Sequence, residues 1–155
     1  MIRVIDDVLA DPLAYRDKAL AQPFRDVTIG RDTFRGIAPC DDRSVTSAAA
    51  RATNTEPVLT FFRKSPEGQV EPNYVHSDEM MGNYTGIYYM NPEPAEGDGT
   101  AFWELYGAGY RKTEHIPARF NRLLLFSAEL PHSRAIFKNY GEDERARLIQ
   151  VVFLR

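Results

Sequence analysis

Short segments rich in β-branched and aromatic residues, separated by turn signals, fill the chain after Pro57. This spacing favours antiparallel strands in a sandwich or distorted barrel over a parallel α/β sheet. The last segment is apolar on both faces, so we expect it at the centre of a sheet. We predict strands over residues 58–63, 69–77, 84–90, 100–105, 122–126, 131–137 and 147–154.

The first 56 residues carry helix signals in addition to a short strand. A short strand is predicted over residues 1–9, and Asp11-Pro12 is typical of a helix start, with the helix ending before Pro23. An alanine-rich second helix is predicted over 45–53. The whole predicts one domain, 1–155, of mainly β structure: a jelly roll over 57–155 with two helices on one side, supported by 1–56.

Composition narrows the possible partners and setting. The net charge of −3 argues against a protein held to nucleic acid by phosphate contacts. No apolar run approaches the roughly 18 residues of a membrane span, and the first residues lack the apolar stretch of a signal peptide. With a single cysteine, Cys40, a reducing cytoplasmic setting is expected.

Two of the three histidines have a context that suggests metal binding. His76 and Asp78 are two residues apart, and on a strand such residues point to the same face. The simpler interpretation of this pair is a surface ion pair. His132 follows one predicted strand and begins another, a position at the rim of a sandwich, whereas His115 lies in a charged stretch and is expected to be exposed.

Two histidines and one carboxylate form the facial triad of non-heme Fe(II) sites that use O₂ and a co-substrate. Zinc would also accept these ligands, usually in a tetrahedral site with a bound water.

Two arginines, Arg145 and Arg147, begin the final strand and share one face. An arginine buried on that face needs an anionic partner, which a dicarboxylate co-substrate would supply. We place Arg145 in the solvated loop and Arg147 inside, with Arg145 as the second choice for this role.

The order of these pieces resembles a known family. His76-Ser-Asp78 is followed by Ile87-Tyr-Tyr-Met-Asn91, then by Gly97-Asp-Gly-Thr-Ala-Phe102, Phe120-Asn-Arg-Leu-Leu-Leu-Phe126, His132 and a late arginine. Over residues 57–155 the chain resembles the 2-oxoglutarate and Fe(II)-dependent dioxygenases, in particular their prolyl-hydroxylase-like branch.

The resemblance implies a double-stranded β-helix in which His76, Asp78 and His132 are the catalytic iron ligands. It implies that Arg147 pairs with the distal carboxylate of 2-oxoglutarate and that Tyr89 hydrogen-bonds it. Because His132 and Arg147 are 15 residues apart, more than the family's roughly ten, the loop 139–144 is expected to bulge. The co-substrates would be 2-oxoglutarate and O₂.

The implied reaction is hydroxylation of an unactivated C–H bond in a small molecule or a peptide side chain. The carboxylate ligand Asp78 favours this outcome, since halogenating relatives lack it. The loops 30–42, 92–98 and 107–115 are expected to shape the pocket. Two alternatives stay open: a cupin-like metal hydrolase or isomerase, although the chain lacks a His-x-His pair, and a non-catalytic metal-binding module.

Overall fold

Two antiparallel sheets face each other in this structure, a computed structural model that describes residues 1–155. The large sheet has seven strands in the order β1-β8-β5-β10-β4-β3-β2, and the small sheet has three in the order β7-β6-β9. The elements are β1 (Ile2–Ile5), α1 (Pro12–Leu20), β2 (Arg25–Ile29), β3 (Asp32–Pro39), α2 (Ser44–Thr53), β4 (Pro57–Ser65), β5 (Tyr84–Tyr89), β6 (Gly99–Tyr106), β7 (Gly109–Pro117), β8 (Arg122–Ser127), β9 (His132–Arg134), a 3₁₀ turn (Asp143–Arg145) and β10 (Arg147–Leu154). The predicted mainly-β jelly roll with two flanking helices is confirmed.

The two faces of the large sheet carry different cores. One face packs against both helices, through Tyr15 and Ala19 of α1 and Val45 and Ala49 of α2. The other faces the small sheet, and we call the space between the sheets the cup. Its apolar lining is Tyr89, Phe102, Leu124, Phe126 and Ile149.

Strand β10 lies at the centre of the large sheet, between β5 and β4. Leu148 and Val152 point to the helices, while Ile149 points into the cup. Burial on both faces explains why no polar alternation is visible in this segment, and the predicted central position is confirmed.

The helix start at Asp11 is also confirmed. The Asp11 carboxylate accepts a hydrogen bond from the Ala14 amide at 3.1 Å, and Pro12 opens the helix. The second helix ends at Asn54 in the left-handed conformation, with φ of 52°. Neither helix has the length and apolar character needed to cross a membrane.

The strand predicted over residues 69–77 is wrong. Pro72 lacks an amide hydrogen for a ladder, and the segment forms only one isolated bridge, between His76 and His132. It nevertheless runs alongside residues 132–139, because Asn73 donates to the Ile136 carbonyl at 3.1 Å and Asn139 to that of Gln69 at 2.7 Å.

Three strands were not predicted, and two of them lie in segments expected to be pocket loops. Strands β2 and β7 are the outer strands of their sheets, and most of their residues are exposed. Strand β3 pairs with β4 over only Ile37–Pro39. Exposed edge strands carry charged residues and little apolar alternation, so the sequence signal is weak there. The first strand is also shorter than expected, ending before Asp7, whose φ is 55°.

A buried polar contact joins helix α1 to the central strand. The Tyr15 hydroxyl donates to the Gln150 side-chain carbonyl at 2.6 Å, and the Gln150 amide donates to the Thr60 hydroxyl at 2.9 Å. Gln150 is fully buried, so its carbonyl has no access to water as a replacement partner.

We therefore expect Tyr15→Phe to lower the free energy of unfolding by about 1–3 kcal/mol, the cost of an unpaired buried acceptor. Denaturant unfolding measures this. Tyr110→Phe removes a hydroxyl from an exposed strand and should change stability by less than about 0.5 kcal/mol. Equal stability of the two variants would contradict the assigned role of the Tyr15 contact.

Candidate metal centre

Backbone pairing brings the two histidines together. The His76 amide donates to the His132 carbonyl at 3.0 Å, and the His132 amide donates back to the His76 carbonyl at 2.9 Å. Side chains of such directly opposed residues lie on the same face of the sheet. The Asp78 amide donates to the Ala128 carbonyl at 2.7 Å, which fixes the third residue beside them.

The three side chains form one group. His76 Nε2 lies 3.5 Å from Asp78 Oδ1, and His132 Nε2 lies 3.2 Å from Asp78 Oδ2. All three donor atoms lie within 4.8 Å of one another. Ligands about 2.1 Å from one ion and at right angles are about 3.0 Å apart, so only small side-chain movements would place an ion between these atoms.

Both imidazoles are oriented for ligation. His76 Nδ1 lies 3.1 Å from the Tyr74 carbonyl, and His132 Nδ1 lies 2.9 Å from the Leu130 carbonyl. A carbonyl only accepts, so each Nδ1 carries a proton, and each Nε2 can offer its lone pair to a metal. The donor set therefore fits a divalent transition metal.

The electrostatics of the group favour a charged carboxylate. Burial opposes ionisation of Asp78, but hydrogen bonds from His132, His76 and Thr85 outweigh it and hold its pKa well below the usual range. The hydrogen bond to Asp78 in turn raises the pKa of His76 above its ordinary value of 6.5. A bound cation would replace the protons that the imidazoles otherwise share with this carboxylate.

The site is open on one side only. The His76 side chain is 40% exposed, whereas those of Asp78 and His132 are 12% and 6% exposed. The His132 ring packs against Phe126, with ring centroids 4.6 Å apart. A ligand from solvent therefore reaches the centre past His76.

Thr85 is a site residue that the sequence did not reveal. Its hydroxyl donates to Asp78 Oδ2 at 2.8 Å from β5, the strand that follows Asp78 in the chain. A threonine in a strand is ordinary, and no motif marks this one. Only the packing of β5 beneath Asp78 gives it a role.

Arg147 lies in the cup at the start of β10 and is 3% exposed. Its Nε donates to both oxygens of Asp98, at 3.0 and 3.1 Å, and its pKa stays raised because Asp98 outweighs the effect of burial. These hydrogen bonds come from Nε alone, which leaves the two Nη groups for a further acceptor. Arg145 is exposed in the 3₁₀ turn, which agrees with its predicted place in the solvated loop.

Asp98 holds Arg147 in place. From the sequence, Asp98 was expected only to form part of a turn. It also accepts hydrogen bonds from the Tyr140 hydroxyl at 2.7 Å and from the Gly99 amide at 2.6 Å. Gly99 has φ of 146°, and a Cβ there would lie 2.1 Å from the Ile116 carbonyl oxygen. Only glycine fits at this position, which explains the glycine directly after Asp98.

Tyr89 lies in the cup on β5, directly opposite Ile149 of β10. Its hydroxyl is hydrogen-bonded to the Thr100 hydroxyl at 2.6 Å, and burial raises its pKa to about 12. The hydroxyl is therefore protonated at neutral pH and can donate a hydrogen bond. His115, by contrast, is exposed on β7, as predicted.

These features define a jelly roll with a two-histidine, one-carboxylate centre between its sheets. No protein-family model matches the chain, and no curated protein resembles it in sequence. Solved structures do resemble it. The non-heme alpha ketoglutarate dependent epimerase SnoN from nogalamycin biosynthesis aligns with a TM-score of 0.65 at 16% identity, over 97% of this chain and 76% of SnoN.

Two prolyl hydroxylases are also similar in structure. A Pseudomonas putida prolyl-4-hydroxylase has a TM-score of 0.59 and 17% identity over 99% of this chain and 92% of its own. A Trichoplax adhaerens prolyl hydroxylase, in complex with a hypoxia inducible factor peptide, has a TM-score of 0.57 and 19% identity over 99% and 83%. The fold is that of the Fe/2-oxoglutarate-dependent enzymes, as the sequence resemblance implied.

We expect Thr85→Val to weaken metal binding about 10–100-fold, because Asp78 loses the hydrogen bond that orients it. Calorimetric titration with Co(II) measures the affinity. Thr33→Val, on an exposed part of β3, should bind as the wild type does. Unchanged affinity in Thr85→Val would remove Thr85 from the site.

We expect the affinity for metal to decrease as the pH is lowered. The raised pKa of His76 means that a proton competes with the metal at Nε2 once the pH drops to that pKa, and each released proton costs about tenfold in affinity per pH unit. Co(II) titrations between about pH 8.5 and about pH 6 test this. His115→Gln, an exposed histidine, should give the wild-type profile. Constant affinity over this range would show that the metal displaces no imidazole proton.

Proposed function

We propose that the protein is an Fe(II)- and 2-oxoglutarate-dependent dioxygenase that hydroxylates an unactivated C–H bond of a small molecule or a peptide side chain. The observation that carries the proposal is the convergence of His76, Asp78 and His132 within 4.8 Å at the cup of this fold. Three protein ligands on one face leave half of an octahedral site for co-substrates.

In this proposal the two imidazoles bind iron through Nε2 and Asp78 supplies the negative ligand, held by Thr85. Bound iron, 2-oxoglutarate and O₂ together supply the oxidation of a C–H bond, with release of succinate and carbon dioxide. The contribution of the chain is to fix three ligands before the metal arrives, so little is lost to reorganisation. Phe126 and Phe102 beside His132 keep bulk water from the inner side of the centre.

Arg147 and Tyr89 are proposed to hold the distal carboxylate of 2-oxoglutarate. The Arg147 Nη groups form a fork that matches a carboxylate, and Asp98 fixes the guanidinium from its Nε side. Tyr89 adds a neutral donor on the neighbouring strand. A cation and a donor buried at the far end of the cup would set the direction in which the dicarboxylate lies.

The substrate would approach from the exposed side of His76. A second SnoN structure is a complex with Fe³⁺, alpha ketoglutarate and nogalamycin RO, and the Trichoplax structure contains a peptide. Both substrate classes are therefore compatible with this kind of cup. The ferrous ion and the free Cys40 thiol suit a reducing, cytoplasmic setting.

We further propose that residues 57–155 form the catalytic part of a single domain and that residues 1–56 support it. All proposed iron and co-substrate residues fall in 57–155. The earlier segment contributes both helices, which cover the face of the large sheet that points away from the cup.

The test is anaerobic addition of Fe(II) and 2-oxoglutarate, followed by O₂. We expect a weak visible charge-transfer band before O₂ and succinate after it. Asp78→Ala should abolish both, because two imidazoles alone hold the ion weakly and in no fixed geometry.

Glu79→Ala is the matched control, since it removes an exposed carboxylate next to the site. It should keep the band and the succinate yield. Absence of the band in the wild-type protein at saturating Fe(II) would instead favour a cupin-like or non-catalytic metal protein. Retained turnover in Asp78→Ala would exclude this carboxylate as a ligand.

A further inference from the structure

Arg63 is a second arginine on the cup-facing side of the large sheet. On β4 it lies directly opposite Ile149 of β10, and its neighbour two residues on, Ser65, lies opposite Arg147. Ile149 lines the cup, and residues directly opposed on neighbouring strands share a face. Arg63 and Arg147 are therefore diagonal neighbours, a relation that places residues about 7–8 Å apart.

The Arg63 side chain forms no hydrogen bond or ion pair within the protein. Its Nε is buried and unpaired, while the residue as a whole is only partly exposed. Burial lowers the pKa of Arg63, with Glu71 opposing the shift only from a distance. Partial withdrawal of an unpaired charge from water has a free-energy cost, which a bound anion would offset.

The carboxylates nearest to Arg63 and Arg147 are already occupied. Glu71 accepts hydrogen bonds from Ser65, Gln69, Asn139 and Arg134. Asp98 accepts from Arg147, Tyr140 and the Gly99 amide. Three arginines (Arg63, Arg134 and Arg147) thus share this part of the cup with two carboxylates. The excess positive charge belongs to Arg63.

Along β10, Arg63 is level with Ile149, between the level of Arg147 and that of Thr85, which holds Asp78. The positive charge of Arg63 reaches His76, where it opposes the larger upward effect of Asp78 on the pKa. Along the sheet from Arg63 toward Thr85, the next cup-facing residues are apolar. Val151 lies opposite Phe61, and the rings of Phe61 and Phe153, the residue opposite Thr85, have centroids 6.3 Å apart. A cation at one end of an apolar surface suits an acid with an apolar body.

We propose that Arg63 binds a carboxylate in the cup, in addition to the one proposed for Arg147. The planar guanidinium fork matches a carboxylate in two hydrogen bonds. Two sources share this chemistry: a carboxylate of the substrate, or the second carboxylate of 2-oxoglutarate. The inference rests on the proposed function for the second source only, because a substrate carboxylate needs Arg63 and the apolar surface but no iron.

The test compares Arg63→Met with the wild type by calorimetry in two arms. Methionine keeps an unbranched apolar stem and removes the charge. The first arm titrates 2-oxoglutarate into anaerobic Fe(II)-loaded protein. The second titrates straight-chain monocarboxylates, from butyrate to octanoate, into metal-free protein, with the corresponding primary amides as neutral controls. Arg31→Met, in the exposed β2–β3 turn, is the matched control variant.

We expect Arg63→Met to weaken one arm at least about tenfold, the loss of a charge-assisted pair. Loss in the first arm identifies 2-oxoglutarate, and loss in the second identifies a substrate carboxylate, with the amides binding weakly to every variant. Arg31→Met should bind as the wild type does. Equal affinities of Arg63→Met and wild type in both arms, or no carboxylate binding beyond that of the amides in either, would overturn the proposal.

Thermal unfolding without ligand gives an independent readout. If Arg63 is kept for a ligand, replacing a partly buried, unpaired charge by methionine should raise the melting temperature by about 2–4 °C. A lower melting temperature would mean that the charge stabilises the fold, which overturns the proposal. Failure of iron or 2-oxoglutarate to bind to the wild type would count against the proposed function, while the monocarboxylate arm and the melting temperature still decide the role of Arg63.

Discussion

The pair of backbone hydrogen bonds between His76 and His132 is the interaction on which the site depends. It joins an irregular segment before β5 to the start of β9, and so connects the large sheet to the small one. Side chains on directly opposed residues have little choice of direction. Backbone pairing therefore brings the two imidazoles together, and a hydrogen bond from the Asp78 amide to the Ala128 carbonyl places the carboxylate beside them.

In the rest of the cup, too, hydrogen bonds from residues on or next to strands hold the buried charges in place. Asp98, directly before β6 of the small sheet, positions Arg147 of the large sheet, and Thr85 on β5 positions Asp78. A site built on strands holds its geometry better than one built on loops. Arg63 departs from this pattern, because every acid around it is already occupied. The carboxylate proposed to bind there would give this cation a partner.

Much of this protein follows from local pattern. The strands with strong apolar or aromatic character, above all β10 and β8, were predicted close to their observed bounds, as were both helices. The three strands that were missed share one cause: β2, β3 and β7 are edge or largely exposed strands, so few of their residues face a core and the apolar pattern is weak. Residues 69–77 show the opposite error, a strand that was predicted but does not form. Their β-branched residues suggested a strand, but Pro72 has no amide hydrogen to donate to a ladder.

The sequence by itself determined the types of ligand and their order, because a histidine, a carboxylate two residues on and a later histidine are covalent facts. The many short apolar and aromatic segments separated by turn signals also favoured a sandwich or barrel, because such short strands bury their side chains only by pairing in antiparallel sheets. Only the tertiary structure decided which residues support these ligands. Thr85 holds Asp78, and Asp98 holds Arg147, through contacts between segments distant in the chain. The pairing of β4 with β10 places Arg63 beside Arg147, and no local spacing encodes that register.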